Sequence, residues 1–376
     1  MPSLPGRRPR PVENDPETQR PHLAARVEDR YHAVLGRVLR ARGWRPRVVP
    51  HTGYGSTTRV RVLGRVLLTS RSWFPGRDAA FERRGYRNFF AAPAPGEPVR
   101  VTIGTQDPVT VDLVADRGGY LDATVDVDLA PGWHEVAYRT RAGAPVLGRV
   151  HVVAPGARLG VVSDIDDTVM VTALPRPLVA AWNTFARHPS ARMPVRGMAE
   201  LYASIRREHP DAPFVYLSTG AWNTADTLRR FMDRHGFPPG PMLLTDWGPT
   251  NTGWFRSGPA HKNAALDRLV RELPDVRWLL VGDDGQHDPA IYARACALHP
   301  QHVAAVAIRR LTPTQQVLAH GTPVPQDGGA TRVTRPRPAQ PVADDVLPVP
   351  AGRPATVGAP DGYGLRSALR GLLPRP

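Results

Sequence analysis

A handful of polar residues, far apart in the chain, share one kind of chemistry. Asp164 and Asp166 lie two apart in VVSDIDDT, so an extended backbone presents both carboxylates on the same side. Asp283 and Asp284 close the apolar run WLLVGDD, Asp288 follows shortly, Ser218 and Thr219 close FVYLST, and Lys262 opens HKNAALDRL. Carboxylates crowded together resist ionising unless a cation joins them. An all-oxygen donor set suits Mg²⁺, which uses few protein carboxylates and keeps several waters. A carboxylate, a hard cation, an ammonium and a hydroxyl are the parts of a phosphoryl-transfer site: one nucleophile, the others offsetting charge as it develops. Lys262 is the only lysine among 49 cationic residues; the other 48 are arginines. An ammonium is a compact point charge that a guanidinium fork does not replace, so its survival at this position is informative.

These residues sit at element ends. From residue 158 onward, apolar runs of five to eight residues (RLGVVSDID, PFVYLST, PMLLTDW, RWLLVGDD, VAAVAIRRL) alternate with helix-period segments (GMAELYASIRREH, ADTLRRFMDRHGF, HKNAALDRLVREL, DPAIYARACALHP). Unalternating strands separated by helices predict a parallel sheet covered on both faces, with ligands at the carboxyl ends of its strands. Upstream, residues 58–153 are Val/Thr-rich short runs between Gly, Pro and Asp turns, the pattern of a small all-β domain, sandwich-like or a barrel. Leu23, Val27, Tyr31, Val34, Leu35, Val38 and Leu39 recur at helical spacing and predict an amphipathic helix that ends at Gly43, its apolar face packed on the protein's own core. The chain thus divides into a disordered arm (1–21), an amphipathic helix (22–45), a β-rich domain (46–156), an α/β domain (157–311) and a disordered Pro/Gly-rich tail (312–376) whose last stretch can form a short helix. The tail holds 12 Pro and 8 Gly in 65 positions.

The order D-x-D-x-T, Ser/Thr, Lys, G-D-x-x-x-x-D resembles the four motifs of the haloacid dehalogenase (HAD) superfamily. SDIDDTVMVT, PVRGMAELY, GPAHKNAALDRL and GDDGQHDPAIY are similar, more closely, to the catalytic domain of the actin-patch-type phosphatidate phosphatase family, over about residues 158–310. The resemblance implies a Rossmann-like HAD domain and Mg²⁺-dependent hydrolysis of a phosphate monoester through an aspartyl-phosphate, most specifically phosphatidate to diacylglycerol. It assigns Asp164 as nucleophile and Asp166 as acid and base. Asp164, the backbone carbonyl of Asp166 and Asp283 bind the metal. Ser218 holds a phosphoryl oxygen, Lys262 offsets charge, and Thr168, Asp284 and Asp288 support the site. Thr219 and Trp222 fall on the substrate side. Gly220-Ala221 before Trp222-Asn223, the extra acid Asp284, and Ala290 depart from the family pattern on that side. Each supporting residue has a plainer use: Asp167 and Thr168 as loop formers, Asp284 as a helix cap, His287 as a structural histidine, Trp222 as packing. Leu178, Val179, Trp182 and Phe185 could line an entrance or pack on the sheet.

The remaining properties restrict the partners. The chain carries +15, but residues 48–310 hold 31 cations against 25 acids, so more than half of the excess lies in the two ends. No groove-reading or stacking motif accompanies the charge, and no nucleic acid is expected. Arg-rich ends suit peripheral contact with an anionic membrane, although a coding preference for Arg explains them equally. No apolar run is long enough to span a bilayer, and no leader segment is read at the N-terminus. One cysteine, Cys296, precludes an intrachain disulfide or a Cys-based zinc cage and predicts a cytoplasmic setting with an inert thiol. Two rival functions stay open: a phosphatase for a soluble ester or a phosphoprotein, and a non-enzymatic adaptor working through the β-rich domain.

Overall fold

A computed structural model describes residues 34–70, 92–141, 143–171, 193–245, 258–312 and 353–374, together with Arg30 and Gln315. Among these, Leu23, Val27 and Tyr31 of the N-terminal helix and the proposed entrance residues 178–185 are not included.

Seven strands make the first unit: β1 (Arg45–Gly55), β2 (Arg59–Thr69), β3 (Pro98–Ile103), β4 (Val109–Val114), β5 (Tyr120–Asp126), β6 (Gly132–Thr140) and β7 (Val146–Val152). They form a single sheet in the order β4-β3-β6-β7-β1-β2-β5, antiparallel throughout except where β1 runs parallel to β7. The sequence predicts a small all-β sandwich or barrel; the strands form one sheet that curls until its edge strands β4 and β5 meet. Curling pairs or shields the edges that a flat sheet would expose. Alternate residues such as Val99, Val101 and Ile103 point inward to one core, and Leu35 and Leu39 of the helical stretch 34–41 pack on it.

The second unit is a six-stranded sheet, parallel throughout, in the order β10-β9-β8-β11-β12-β13. Its strands are β8 (Leu159–Ser163), β9 (Phe214–Ala221), β10 (Met242–Thr245), β11 (Arg277–Asp283), β12 (Val303–Arg309) and β13 (Ala355–Ala359). Every residue of β8 and β12 is buried, as both-face coverage demands. Val161, Leu279 and Val281 face a core built with helices α1 (Met198–Glu208), α2 (Ala225–Arg234) and α5 (Gly362–Ala368). Val162, Leu280 and Trp278 face the opposite core, built with α3 (Gly258–Glu272) and α4 (Asp288–Leu298).

The reading of 312–376 as a disordered tail is corrected over residues 353–374. β13 pairs with β12 in register Arg309↔Ala359, and α5 follows with Leu365 fully buried. Asp361 caps α5, its Oδ1 accepting from Gly364 N at 2.9 Å. Gly362 packs against backbone: a β-carbon there would meet the Gly197 carbonyl carbon at 2.2 Å. Composition averaged over the whole tail obscured this short ordered unit.

Tyr54 and Leu63 of the first sheet lie in the core that α3 covers. Beside them the buried Arg61 donates to Asp122 Oδ2 at 2.6 Å and to Glu272 Oε1, on α3, at 2.8 Å. No described helix is long and apolar enough to cross a membrane.

Candidate active site

The buried apolar strand β8 drives the chain to the carboxyl edge of the parallel sheet and delivers Asp164 there. The Asp164 N–H donates to Val281 O at 2.8 Å, extending the β8–β11 ladder by one rung, so the residue is held as a strand residue is. A tight turn follows. Ile165, Val169 and Met170 drop into the core, with Val169 N donating to Ile165 O at 2.9 Å. Asp167 adopts a left-handed conformation (φ 57°) and donates from its N–H to Met170 O at 2.7 Å. Thr168 is fully buried, and its hydroxyl has no hydrogen-bond partner among the described residues.

Two neighbouring strands and two helices complete the group. At the end of β9 the buried Ser218 donates from Oγ to Asp166 Oδ2 at 3.1 Å and accepts from Gly220 N at 2.9 Å. Thr219 takes a different part: its carbonyl accepts from Thr245 Oγ1 at 2.7 Å, tying β9 to β10. From the first turns of α3, Lys262 buries its ammonium and donates to Asp164 Oδ1 and Asp288 Oδ1, each at 2.6 Å. Asp283, at the end of β11, accepts from Gly285 N at 2.6 Å. Carboxylate oxygens of Asp164, Asp283 and Asp288 all lie within 4.8 Å of one another. Gly282 is required by this packing, because a β-carbon would meet Asp288 Oδ2 at 2.4 Å.

The electrostatics follow from the burial. Burial pushes the Asp164 carboxyl well above the usual range; Lys262 opposes this, while Asp288, Asp283 and Asp166 add to it. Burial, then Asp288, pushes Asp283 up to about 8. Burial works against the Lys262 charge, but Asp164 and Asp288 outweigh it and hold the ammonium charged above its ordinary value. Asp164 and Asp283 thus resist ionising beside Asp288 with one ammonium to balance them, and a hard divalent cation is the partner that would let all three carry charge. Asp288 Oδ2 is buried with no described partner, an oxygen donor already desolvated. By donor type and by charge, the cluster fits Mg²⁺.

Other predicted residues land elsewhere. Asp284 does not cap α4; its Oδ1 accepts from Leu311 N at 2.7 Å and secures the chain leaving β12. His287 precedes α4 and makes no side-chain capping bond. Trp222 is turned toward the first sheet, its ring stacked on His51 of β1 with centroids 4.2 Å apart, at a cleft also lined by Val49, Arg65, Leu67 and Met242. Cys296 is half-buried and its thiol is raised by burial. Sequence reasoning missed Arg309, a buried cation whose Nη1 donates to the Asp167 carbonyl. The signal was present: a charge closes the apolar run VAAVAI at the same sheet edge.

Residues 159–310 match the family described as "Phosphatidate phosphatase APP1, catalytic domain". The chain is 23% identical over 238 residues to "Phosphatidate phosphatase APP1" of Saccharomyces cerevisiae, a match covering 59% of this chain and 39% of the relative. It is 25% identical over 152 residues to "Uncharacterized protein C29B5.04c" of Schizosaccharomyces pombe, covering 40% of this chain and 25% of that one. The match thus spans about two fifths of the first relative's length and a quarter of the second's. A solved structure described as "Structure of PhoD" aligns over 71% of both chains with a TM-score of 0.28 and 11% identity, too weak a likeness to carry an argument.

Proposed function

We propose that this chain, whose residues 159–310 match the phosphatidate phosphatase APP1 catalytic-domain family, is a phosphate monoester hydrolase of the HAD type, working through Asp164. The observation that carries the reading is the buried Lys262 ammonium shared between Asp164 and Asp288, with Asp283 in the same cluster and Ser218 on Asp166.

An Asp164 carboxylate oxygen attacks phosphorus. The new O–P bond forms as the bond to the substrate's leaving oxygen breaks, and Asp166 gives that oxygen its proton. Asp166, now a carboxylate, takes a proton from water. The water oxygen bonds to phosphorus, the Asp164–phosphate bond breaks, and inorganic phosphate departs. Ser218 turns its hydroxyl from Asp166 to a phosphoryl oxygen. Lys262 favours the ionised form of Asp164 against its burial and offsets charge on the phosphoryl group. Asp164, Asp283 and the Asp166 backbone carbonyl, with Asp288 beside them, would hold Mg²⁺. Bound there, the ion supplies electrostatic stabilisation to the phosphoryl oxygens.

The substrate that the family match supports is phosphatidate, with diacylglycerol as product. A lipid substrate sets the reaction at a bilayer surface, where the Arg-rich ends of the chain suit an anionic leaflet. The test compares phosphatidate in mixed micelles with p-nitrophenyl phosphate, with and without Mg²⁺. The reading expects Mg²⁺-dependent release that favours the lipid and falls on the order of 10³-fold or more in Asp164→Asn. Equal turnover of both substrates removes the lipid assignment in favour of a soluble ester. No Mg²⁺-dependent release from any ester of a broad panel overturns the hydrolase itself and favours an adaptor.

A further inference from the structure

β12 closes on a cation that the chemistry above does not use. The Arg309 side chain is buried, 5% exposed, and its guanidinium donates in three directions. Nη1 goes to the Asp167 carbonyl, Nε to the Pro360 carbonyl at 3.3 Å, and Nη2 to Gln315 Oε1 at 3.2 Å. The three acceptors belong to three segments: the turn after the nucleophile, the turn between β13 and α5, and the stretch that leaves β12. Burial lowers the Arg309 pKa, and Asp167, Asp283, Asp284 and Asp361 partly offset it.

The first acceptor is the informative one. Asp167 is the only described non-glycine residue with positive φ, a conformation that a β-carbon disfavours and that persists where surroundings enforce it. Its immediate neighbour, Asp166, holds the carboxylate on which Ser218 rests. The contacts also close a ring. From Pro360 the chain reaches Gly362, whose N–H donates to Arg196 O at 2.9 Å. One residue back, Val195 N donates to Val169 O at 2.9 Å, returning to the turn that contains Asp167. The turn is therefore tied from two sides, through Arg309 and through residues 195–196, to the connection between β13 and α5, which lies beyond the segment that the family match covers.

We infer that Arg309 is a positioning residue: it fixes the Asp167 carbonyl to the β13–α5 unit and so holds the turn that carries Asp164 and Asp166 in its working arrangement. Its kinetic consequence rests on the hydrolase reading; its structural consequence does not. A guanidinium is the group that serves three acceptors in a plane, and a lysine in its place reaches one at a time.

The experiment uses the full chain and two readouts, hydrogen exchange of the peptide covering 164–171 and steady-state hydrolysis of p-nitrophenyl phosphate. Arg309→Met and Arg309→Lys test the cation. Gly362→Ala, which forces a β-carbon against Gly197, tests the unit it grips. Exchange in 164–171 is expected to quicken about tenfold or more in Arg309→Met and Gly362→Ala, less in Arg309→Lys, with the β8 and β11 peptides unchanged. kcat is expected to fall roughly 10- to 100-fold with KM little changed, as for misplaced groups that still bind substrate. Unchanged exchange in the turn overturns the inference whatever the activity. So does exchange that rises equally in β8 and β11 in Arg309→Lys, which marks a general support of the fold. If the wild-type chain hydrolyses no ester, the hydrolase reading falls and exchange alone decides the role of Arg309. If Arg309→Met does not fold, Arg309→Lys and Gly362→Ala carry the decision.

Discussion

At the scale of single residues, burial turns ordinary side chains into a site. Lys262 and Asp288 are surface residue types, yet both are buried here, and the ammonium has two carboxylates as partners. Taking one member from a buried ionic group leaves the others desolvated and uncompensated, at a cost of about 3–5 kcal/mol. Lys262→Met is therefore expected to lower the denaturation midpoint substantially and to abolish phosphate release. Lys262→Arg is expected to fail as well, since the fork needs room between Asp164 and Asp288 that an ammonium does not. Urea titration and an ester assay check both; an active Lys262→Arg would remove the point-charge argument. The types and spacing of Asp164, Asp166, Ser218, Lys262 and Asp283 were readable because strand ends collect chemistry at one edge. The separate places of Ser218 and Thr219 come from the fold: Ser218 meets Asp166, while Thr219 braces β10. The Asp284 contact with Leu311 was not readable, because its partner belongs to another strand's exit. Nor was the orientation of Trp222, whose neighbour His51 lies in the other sheet.

At the scale of elements, legibility followed length and period. β8, β9, β11 and β12 are continuous apolar runs, and α2 and α3 keep a helical period, so each reads directly from the chain. β13 is five residues of Ala, Thr, Val and Gly whose strand character exists only because β12 offers it a free edge. The join between elements also holds a pH-sensitive group. His51 of β1 lies against Trp222, ahead of α2, and burial, then Arg65 and Arg229, hold its pKa down at about 3. The ordinary value is about 6.5, so between these limits the unfolded chain binds a proton that the folded chain refuses. Stability from this group is complete above about pH 6.5 and is lost as pH falls toward 3, by up to about 5 kcal/mol. His51→Phe keeps the stacked ring and removes the proton site. Its denaturation midpoint is expected to fall less steeply than wild type across that window, and parallel curves would refute the assignment.

At the scale of the whole molecule, the sequence divides more sharply than the structure does. Composition changes abruptly near residue 155, which suggests two independent units, because local patterning carries no record of which faces meet. In the folded chain Tyr54 and Leu63, from the curled sheet, are interior residues of the core formed by α3, α4 and the parallel sheet. Arg61 reaches across the same seam to Glu272 at the far end of the helix that bears Lys262. Units that share a core lose it together, so the described parts are expected to unfold in one cooperative transition. Tyr54→Ala gives the test its edge. Tyr54 is a β1 residue only 2% exposed, and truncating a buried aromatic costs about 3–5 kcal/mol. If the core is shared, calorimetry shows a single peak that moves down as a whole, and the 258–272 peptide loses exchange protection along with β1 and β2. Two peaks, of which only one responds to Tyr54→Ala, would make the curled sheet a separable attachment, and the helix that presents Lys262 would owe its placement to the parallel sheet alone.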